Sequence, residues 1–414
     1  MRFRSIIFWL HLCAGVIAGV VIAIMSFTGA ALAFEKQITA WAERDSRTVA
    51  VPAEASAARL PIDDLVAAVR EKQGGHRPAT IVVANDPAAA VMMGFGRTNS
   101  VYVNPYTGTL QPVSGQGTRT FMHVMIEWHR YLGRHDGQRA TGKAITGACN
   151  AAFAVLAITG LYLWWPRKWN AGVFRSVAVM TFRLRGKARD WNWHNAVGFW
   201  TAPILIVLTL TAMPISYQWA GNLIYRMTGS PVPQPGPPGA ATPAVVVPAP
   251  ADGTRPLRLN ELLLAAQREV PGWKEITLRL GTGGRGGAGR RNPTPSPAAT
   301  TNESTSVTGG MESQRRAEPP QPVMVAIRER QAWPLFSSVQ LTFDPFTGSV
   351  LRKETFSNYN LGRQVRSWTR FLHTGEALGY AGQFVAGLAS LVSLLLVWTG
   401  FALTWRRFFS KTKS

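Results

Sequence analysis

Residues 144–168 read AITGACNAAFAVLAITGLYLWWPRK, and residues 384–408 read FVAGLASLVSLLLVWTGFALTWRRF. Each is an apolar run that stays uncharged up to a basic border, and each reaches the roughly 20 residues that cross a ~30 Å hydrocarbon core. Thr159-Gly160, Leu163, Trp165 and Arg167 in the first recur as Thr399-Gly400, Leu403, Trp405 and Arg407 in the second, an offset of 240. Two further runs belong with them. Ile6 to Phe34 contains no charged residue, and Asn195 to about Trp219 carries Pro203 and Pro214. Proline inside a run would disrupt a soluble helix, but membrane helices tolerate it. The expected fold class is a membrane α-helical bundle of four transmembrane helices.

Composition agrees. The 414 residues hold 44 Lys+Arg against 22 Asp+Glu, a net charge of +22 that raises nucleic acid as a partner. Only 16% of residues are charged, however, while 46% are hydrophobic and 15 are Trp. That balance excludes a soluble nucleic-acid binder and points to a lipid bilayer. Cys13 and Cys149 lie in apolar runs, too few for a disulfide framework and outside any C-x-x-C-H haem-attachment motif.

The first run competes with a signal peptide, since Ala31-Leu32-Ala33 resembles a cleavage site. It is about twice the length of an h-region of about 7–15 residues, so a retained helix is expected. Arg167, Lys168, Arg175, Arg183, Arg185, Lys187 and Arg189 crowd the loop before Trp193, against Asp190 alone. Arg2, Arg4, Arg406, Arg407, Lys411 and Lys413 mark the termini. The positive-inside rule puts these segments and both termini in the cytoplasm, and the two long loops outside.

The halves repeat. Asn104-Pro105-Tyr106-Thr107-Gly108 returns as Asp344-Pro345-Phe346-Thr347-Gly348, again at 240, whereas His11, Gly15 and Thr28 match His194, Gly198 and Thr211 at 183. The difference, 240 − 183 = 57, is an insertion in the second outer loop. Low-complexity stretches near 230–253 and 281–322 account for it, with a composition that cannot bury a core. Residues 281–286 match G-x-G-x-x-G, but no helix follows, so no dinucleotide site is read there.

The expected order is an internal duplication of helix, outer domain and helix. Helix 6–34 leads to a small α+β module at 35–118. An outer-face helix and the second span follow at 119–165, then a cytoplasmic loop at 166–193 and the third span at 194–219. A second module at 220–360 holds the insertions, 361–405 is an outer-face segment and the fourth span, and 406–414 is a cytoplasmic tail. In the modules, helices are expected at 62–72 and 259–270. Strands are expected near 80–83, 90–95, 100–103, 275–280, 323–329 and 338–343.

Seven histidines are present. His76 and His135 read as surface residues. His11 and His194 open runs one and three. His129 precedes run two and His373 precedes run four, with His123 six residues before His129. Ionisable groups at membrane depth are functional suspects. Two imidazoles at each end of a bundle are what a six-coordinate haem iron needs, whereas zinc wants more ligands converging on one point. Gly lies four residues after His11, His129 and His194, where a porphyrin edge could lie. Six residues turn a helix by about 240°, more than half a turn, so His123 and His129 face differently. His129 is the expected ligand.

The Trp-His-Arg-x-Leu-Gly stretch at 128–133, Leu372-His373-Thr374-Gly375, the Thr-Gly-x-x-Leu-x-Trp helix ends and the two Asn/Asp-Pro-x-Thr-Gly turns together resemble the PepSY-associated transmembrane family. That family includes iron-regulated membrane proteins and ferric-siderophore reductases of bacterial inner membranes. The resemblance implies periplasmic PepSY-like modules and two non-covalent b-type haems, held by His11 with His194 and by His129 with His373. It implies electron transfer outward to a ferric chelate or siderophore, with a cytoplasmic reductase or membrane quinol as donor. Arg130, Arg363, Arg366 and Arg370 are then candidate contacts to haem propionates or to an anionic ferric chelate. The alternative is a non-enzymatic membrane protein whose outer modules bind a peptide, a protease or an envelope partner.

Overall fold

The computed structural model describes residues 3–53, 58–96, 99–166, 170–233, 245, 247–251, 253–280 and 321–409. The G-x-G-x-x-G stretch, Arg167, Lys168 and the last five residues lie outside them, as do nearly all of the insertion at 281–322 and residues 234–244, 246 and 252 of the one near 230–253. The chain opens with α1 (Phe3–Leu32), α2 (Glu35–Ala42), α3 (Arg44–Arg47) and α4 (Ile62–Lys72). Strands β1 (Thr80–Ala84), β2 (Val91–Gly94) and β3 (Ser100–Val103) follow. Then come α5 (Gln116–Tyr131), α6 (Arg139–Trp164), α7 (Ala171–Ala178), α8 (Gly186–Ser216) and α9 (Gln218–Met227). The second half continues with α10 (Leu259–Glu269), β4 (Trp273–Arg279), β5 (Val323–Glu329), β6 (Val339–Phe343) and β7 (Val350–Glu354). It closes with α11 (Leu361–His373) and α12 (Gly379–Phe408).

Among the described residues, α1, α6, α8 and α12 are the four helices long and apolar enough to cross a membrane. Helix α8 starts at Gly186, eight residues before the expected boundary, because the basic segment ahead of His194 continues the helix. The loop before it holds α7, whose N-terminus is capped by Asn170 accepting from the Val173 N–H at 2.8 Å. Helices α1 and α8 each pack against both α6 and α12. They therefore stand on one diagonal of the bundle, with α6 and α12 on the other. Contacts recur at the two sequence offsets. Gly15 packs under Leu156 and Gly198 under Leu396, while Gly147 meets Tyr217 and Gly387 meets Phe34.

The two Asn/Asp-Pro-x-Thr-Gly stretches are the same turn. Asn104 and Asp344 each accept the N–H two residues on at 2.8 Å, and Gly108 and Gly348 take φ of 70° and 69°. Only glycine adopts that left-handed backbone without strain. The Pro105 and Pro345 carbonyls, left pointing outward, accept the N–H of Leu60 and Leu257 on the approaches to α4 and α10. The helix N-termini then cap each other. Asp63 accepts from the Leu259 and Asn260 N–H groups at 3.0 Å, and Asn260 accepts from the Ile62 N–H at 3.4 Å.

Two separate modules were the expectation, but the strands form one sheet. Its order is β3-β2-β1-β4-β5-β6-β7, antiparallel throughout, with Thr80 opposite Arg279 and Ala84 opposite Glu275 at the join. Helices α4 and α10 lie on one face, over a single core that includes Leu65, Val69, Ile81, Met93, Leu262, Ile276, Ile327 and Phe343. A three-stranded module would leave Ile81 and Val83 beside an open edge. Pairing β1 with β4 closes that edge and doubles the core. Strand β7 was not expected either, since its residues Val350–Glu354 carry no clear alternation. The insertion also divides in two: Leu60 and Leu257 stand 197 apart, so 197 − 183 = 14 residues precede α10 and 240 − 197 = 43 follow β4.

Candidate functional site

His11 on α1 and His194 on α8 face each other across the bundle diagonal, ring centres 6.4 Å apart. Each ring is fixed by the other diagonal. His11 Nδ1 is hydrogen-bonded to Thr159 Oγ1 of α6, and His194 Nδ1 to Thr399 Oγ1 of α12, both at 2.9 Å. Gly160 and Gly400 follow those threonines, and a Cβ there would stand 3.2 Å from His11 Cε1 and 3.7 Å from His194 Cε1. The Thr-Gly pair in each repeat is therefore a seat for an imidazole: the hydroxyl holds one nitrogen and the glycine makes room for the ring. This layer lies toward the end of the bundle remote from the sheet, and is called the distal pair below.

The second pair stands nearer the sheet. His129 lies two residues before the end of α5, and His373 is the last residue of α11, with ring centres 6.3 Å apart. His129 Nδ1 is hydrogen-bonded to Thr28 Oγ1 and the Met25 carbonyl of α1, both at 3.0 Å. His373 Nδ1 donates to the Leu208 carbonyl of α8 at 2.9 Å. Met25 and Leu208 occupy equivalent places, 14 residues beyond His11 and His194 (25 − 11 and 208 − 194). At about 1.5 Å per residue the two layers are about 21 Å apart. His123 is half-buried on α5 with no hydrogen bond among the described residues, and does not join the pair.

In all four rings the hydrogen bonds fall on Nδ1, which leaves Nε2 available as a ligand on each facing ring. A metal held between two imidazoles, with bonds of about 2 Å and roughly 1.1 Å more to each ring centre, would set the centres about 6.2 Å apart. Both pairs have that separation. No group of three His, Cys, Asp or Glu side chains converges among the described residues, as a zinc site would need. Two facing imidazoles per site are a donor set that a haem iron would fit.

The glycines four residues after the histidines do not line these sites. Gly15 and Gly198 pack against leucines, and Gly133, at φ 68°, lies against Trp128. The glycines at which an added Cβ would meet a ring are Gly29, Gly160 and Gly400. Of the four arginines expected nearby, Arg130 and Arg370 are exposed and lie within one helical turn of His129 and His373. Arg363 is ten residues from His373 and pairs with Glu354 at 3.2 Å. Arg366 donates to the Pro214 carbonyl at 3.0 Å, at the C-terminal end of α8 where a cation is favoured.

The short helices have their own anchors. Arg119, ten residues before His129, donates from Nε to Glu43 Oε1 at 2.8 Å. Glu43, only 1% exposed, also accepts from Arg47 at 2.8 and 3.0 Å and from Tyr102 at 2.8 Å. Burial by itself raises the Glu43 carboxyl, but the bonds from Arg119, Arg47 and Tyr102 outweigh it and hold the group below its ordinary value. Burial and the Glu43 carboxylate push the Tyr102 hydroxyl up to about 12. Arg119 and Arg363 each stand ten residues before a histidine of the proximal pair (129 − 119 and 373 − 363), at a common offset of 244. The shift from 240 to 244 arises because His129 is followed by a connection four residues longer before α6 than His373 is before α12 (139 − 129 against 379 − 373).

Comparison with curated proteins finds no match. A family model described as the PepSY-associated TM region matches residues 8–407, from the start of α1 to the end of α12. The chain, a multi-pass membrane protein with a sheet domain beside its four long helices, belongs to that family.

Proposed function

We propose that this protein is a di-haem b electron-transfer enzyme of the bacterial inner membrane that reduces periplasmic ferric iron, siderophore-bound iron included, for iron uptake. The observation that carries this reading is the spacing: two pairs of imidazoles, each at the separation one iron requires, in two layers of one bundle. The matched contacts at offsets 183 and 240 support a duplicated helix–outer module–helix unit as its frame. When bound, a haem at each pair supplies a one-electron ferric/ferrous couple. His11 and His194 hold the distal site, and His129 and His373 the sheet-proximal one. Thr159, Thr399, the Met25 carbonyl and the Leu208 carbonyl fix ring orientation and tautomer. Arg130 and Arg370 would pair with propionates at the proximal layer.

Direction follows from charge. Arg175, Arg183, Arg185, Lys187, Arg189, Arg406 and Arg407 crowd the distal end, which the positive-inside rule assigns to the cytoplasm with both termini. The sheet is then periplasmic, beside the proximal pair. With haem bound, the distal pair would face the donor, a cytoplasmic reductase or a membrane quinol, and the proximal pair would face the ferric chelate. Fe(II) binds hard oxygen donors less tightly than Fe(III), so reduction releases the metal.

The test is the absorption spectrum of the purified protein before and after dithionite. A Soret band that shifts on reduction is expected. A colourless protein would overturn the reading and favour a binding role for the sheet domain. In proteoliposomes, His373→Ala should stop reduction of an external ferric chelate while the distal site still reduces from the opposite side.

A further inference from the structure

The connection from α6 to α8 builds a groove at the distal end of the bundle. Helix α7 ends there with four carbonyls that an α-helix leaves unmet, and side chains of the long helices take them. Trp164 Nε1 of α6 donates to the Val177 carbonyl at 3.0 Å, and Trp200 Nε1 of α8 to the Ala178 carbonyl at 2.9 Å. Asn192, only 2% exposed, donates from Nδ2 to the Ser176 and Val179 carbonyls at 2.8 and 3.0 Å. Its Oδ1 accepts the Thr181 N–H at 2.8 Å. The connection is therefore a fixed wall.

Between that wall and the first turns of α8 the groove encloses about 620 Å³, the size of a small-molecule site. Leu184, Ala188 and Trp191 give it an apolar floor, Ser176 and Thr181 bring hydroxyls, and Lys187 is its one charged lining residue. The rim is apolar too: Phe182 is 77% exposed, and Val179 and Trp191 are exposed beside it. At the boundary of a bilayer such side chains meet acyl chains, while neighbouring Lys and Arg reach the headgroups. The charge here is uncompensated. Asp190, the one acid between Pro166 and Trp193, is taken by Arg189 and Arg406 at 2.9 Å each. Arg175, Arg183, Arg185 and Lys187 are left without an ion-pair partner among the described residues.

We propose that this groove holds an anionic phospholipid of the leaflet at the distal end, which the orientation read above makes the cytoplasmic one. Its phosphate pairs with Lys187 and accepts from the Thr181 hydroxyl, and one acyl chain lies on Leu184, Ala188 and Trp191. Net charge sets the choice of lipid. A zwitterionic headgroup carries its own cation, which offsets the attraction of Lys187 and of Arg183 and Arg185 on either side of Leu184. Phosphatidylglycerol keeps the whole of that attraction. A soluble phosphate ester has the charge but no chain for the apolar floor. The groove uses no residue of either histidine pair, although Trp191 stands three residues before His194. Only the naming of the leaflet rests on the functional reading.

Native mass spectrometry of the full chain in detergent reads the first bound lipid during titration with phosphatidylglycerol or phosphatidylethanolamine of identical acyl chains. The dissociation constant for phosphatidylglycerol should be lower by about fivefold or more. Lys187→Gln should erase most of that preference. Ala188→Phe, at an exposed position, fills the groove without altering charge and should weaken both lipids about fivefold. Arg175→Gln, outside the lining, should change either constant by less than about twofold. Excess glycerol 3-phosphate should leave the lipid in place. Equal affinity for the two lipids, equal losses from Lys187→Gln and Arg175→Gln, an unaffected Ala188→Phe variant, or displacement by glycerol 3-phosphate overturns the proposal. The outcome is separable from the haem reading. A haem-free protein that shows the preference keeps the site and removes the reductase, whereas a haem-loaded protein without the preference removes the site and leaves the reductase.

Discussion

The two histidine pairs have the same ring separation but are built differently. The distal pair stands on two continuous spans and is braced by hydroxyls from the other two, so all four long helices make it. The proximal pair stands at the ends of two short helices, and its hydrogen bonds run mainly to backbone carbonyls of α1 and α8. Those short helices are tied at their other ends to the sheet side, through Glu43 and Glu354. The distal site is therefore a property of the bundle, and the proximal one of the docking between bundle and sheet domain. Changes in the sheet domain should reach one pair and spare the other.

The harshest test removes the proposed haem ligands. His194→Ala and His373→Ala should each eliminate about half of the bound haem and leave the remaining spectrum intact. A loss of both haems from either variant would mean the two layers are not independent.

Glu43→Ala comes next. It leaves Arg119 and Arg47 without their buried partner, a change worth about 3–5 kcal/mol when one member of such a pair is lost. Proximal haem should dissociate at lower denaturant than in the wild type, with the distal spectrum unmoved. Equal weakening of both sites would end the distinction drawn here. Acid should act the same way. Because the native Glu43 carboxyl titrates below 4.5, its contribution is whole above that value and is lost as pH falls through the lowered native one. On acidification, haem release should begin at the proximal pair.

Gly142→Ala and Gly382→Ala probe the joints between the short helices and the spans. A Cβ at either position would strike a backbone carbonyl, of Tyr131 or of Gly375, that cannot turn aside. Overpacking of this kind costs about 1–3 kcal/mol, and proximal haem content in the purified variants reads it.

The mildest effect is expected at the distal seats. Thr159→Val or Thr399→Val removes one hydrogen bond, about 1 kcal/mol, and should shift the distal midpoint potential alone in a redox titration. Gly160→Ala should add to that shift by pressing on His11 from 3.2 Å, while Gly400→Ala, at 3.7 Å, should be silent. A shift at the proximal couple instead would reverse the assignment of hydroxyls to sites.

Much of this was legible in the chain because repeats expose position. The four spans, the turns after Asn104 and Asp344, the helix at Ile62–Lys72 and the strands at Ser100–Val103 and Val323–Glu329 fall where pattern and turn chemistry put them. The facing of His11 with His194, and of His129 with His373, follows from their places in the repeat. The roles of Thr159 and Thr399 were in plain view but read as helix-end markers, since a motif does not say which side chain it serves. The glycines after the histidines misled because one turn along a helix is also where a neighbouring helix packs. Arg119 and Arg363 at offset 244 would have distinguished His129 from His123, yet that offset is hidden by the longer connection before α6. The join of β1 to β4 had no signature, because a strand's alternation reports which face is buried and not which strand lies beside it.

That join also sets an order of assembly. Strand β4 begins 193 residues after the start of β1 (273 − 80), with two of the four spans, α6 and α8, between them. While the ribosome makes α5 through α9, β1 is a finished strand with one bare edge, and Ile81 and Val83 have half their cover. A bare edge recruits any strand that passes, including that of a sister chain. The nascent protein is thus most vulnerable midway through synthesis, and contacts this distant in sequence close late. Chains cut short after α8 should be aggregation-prone clients of chaperones and proteases rather than stable half-molecules.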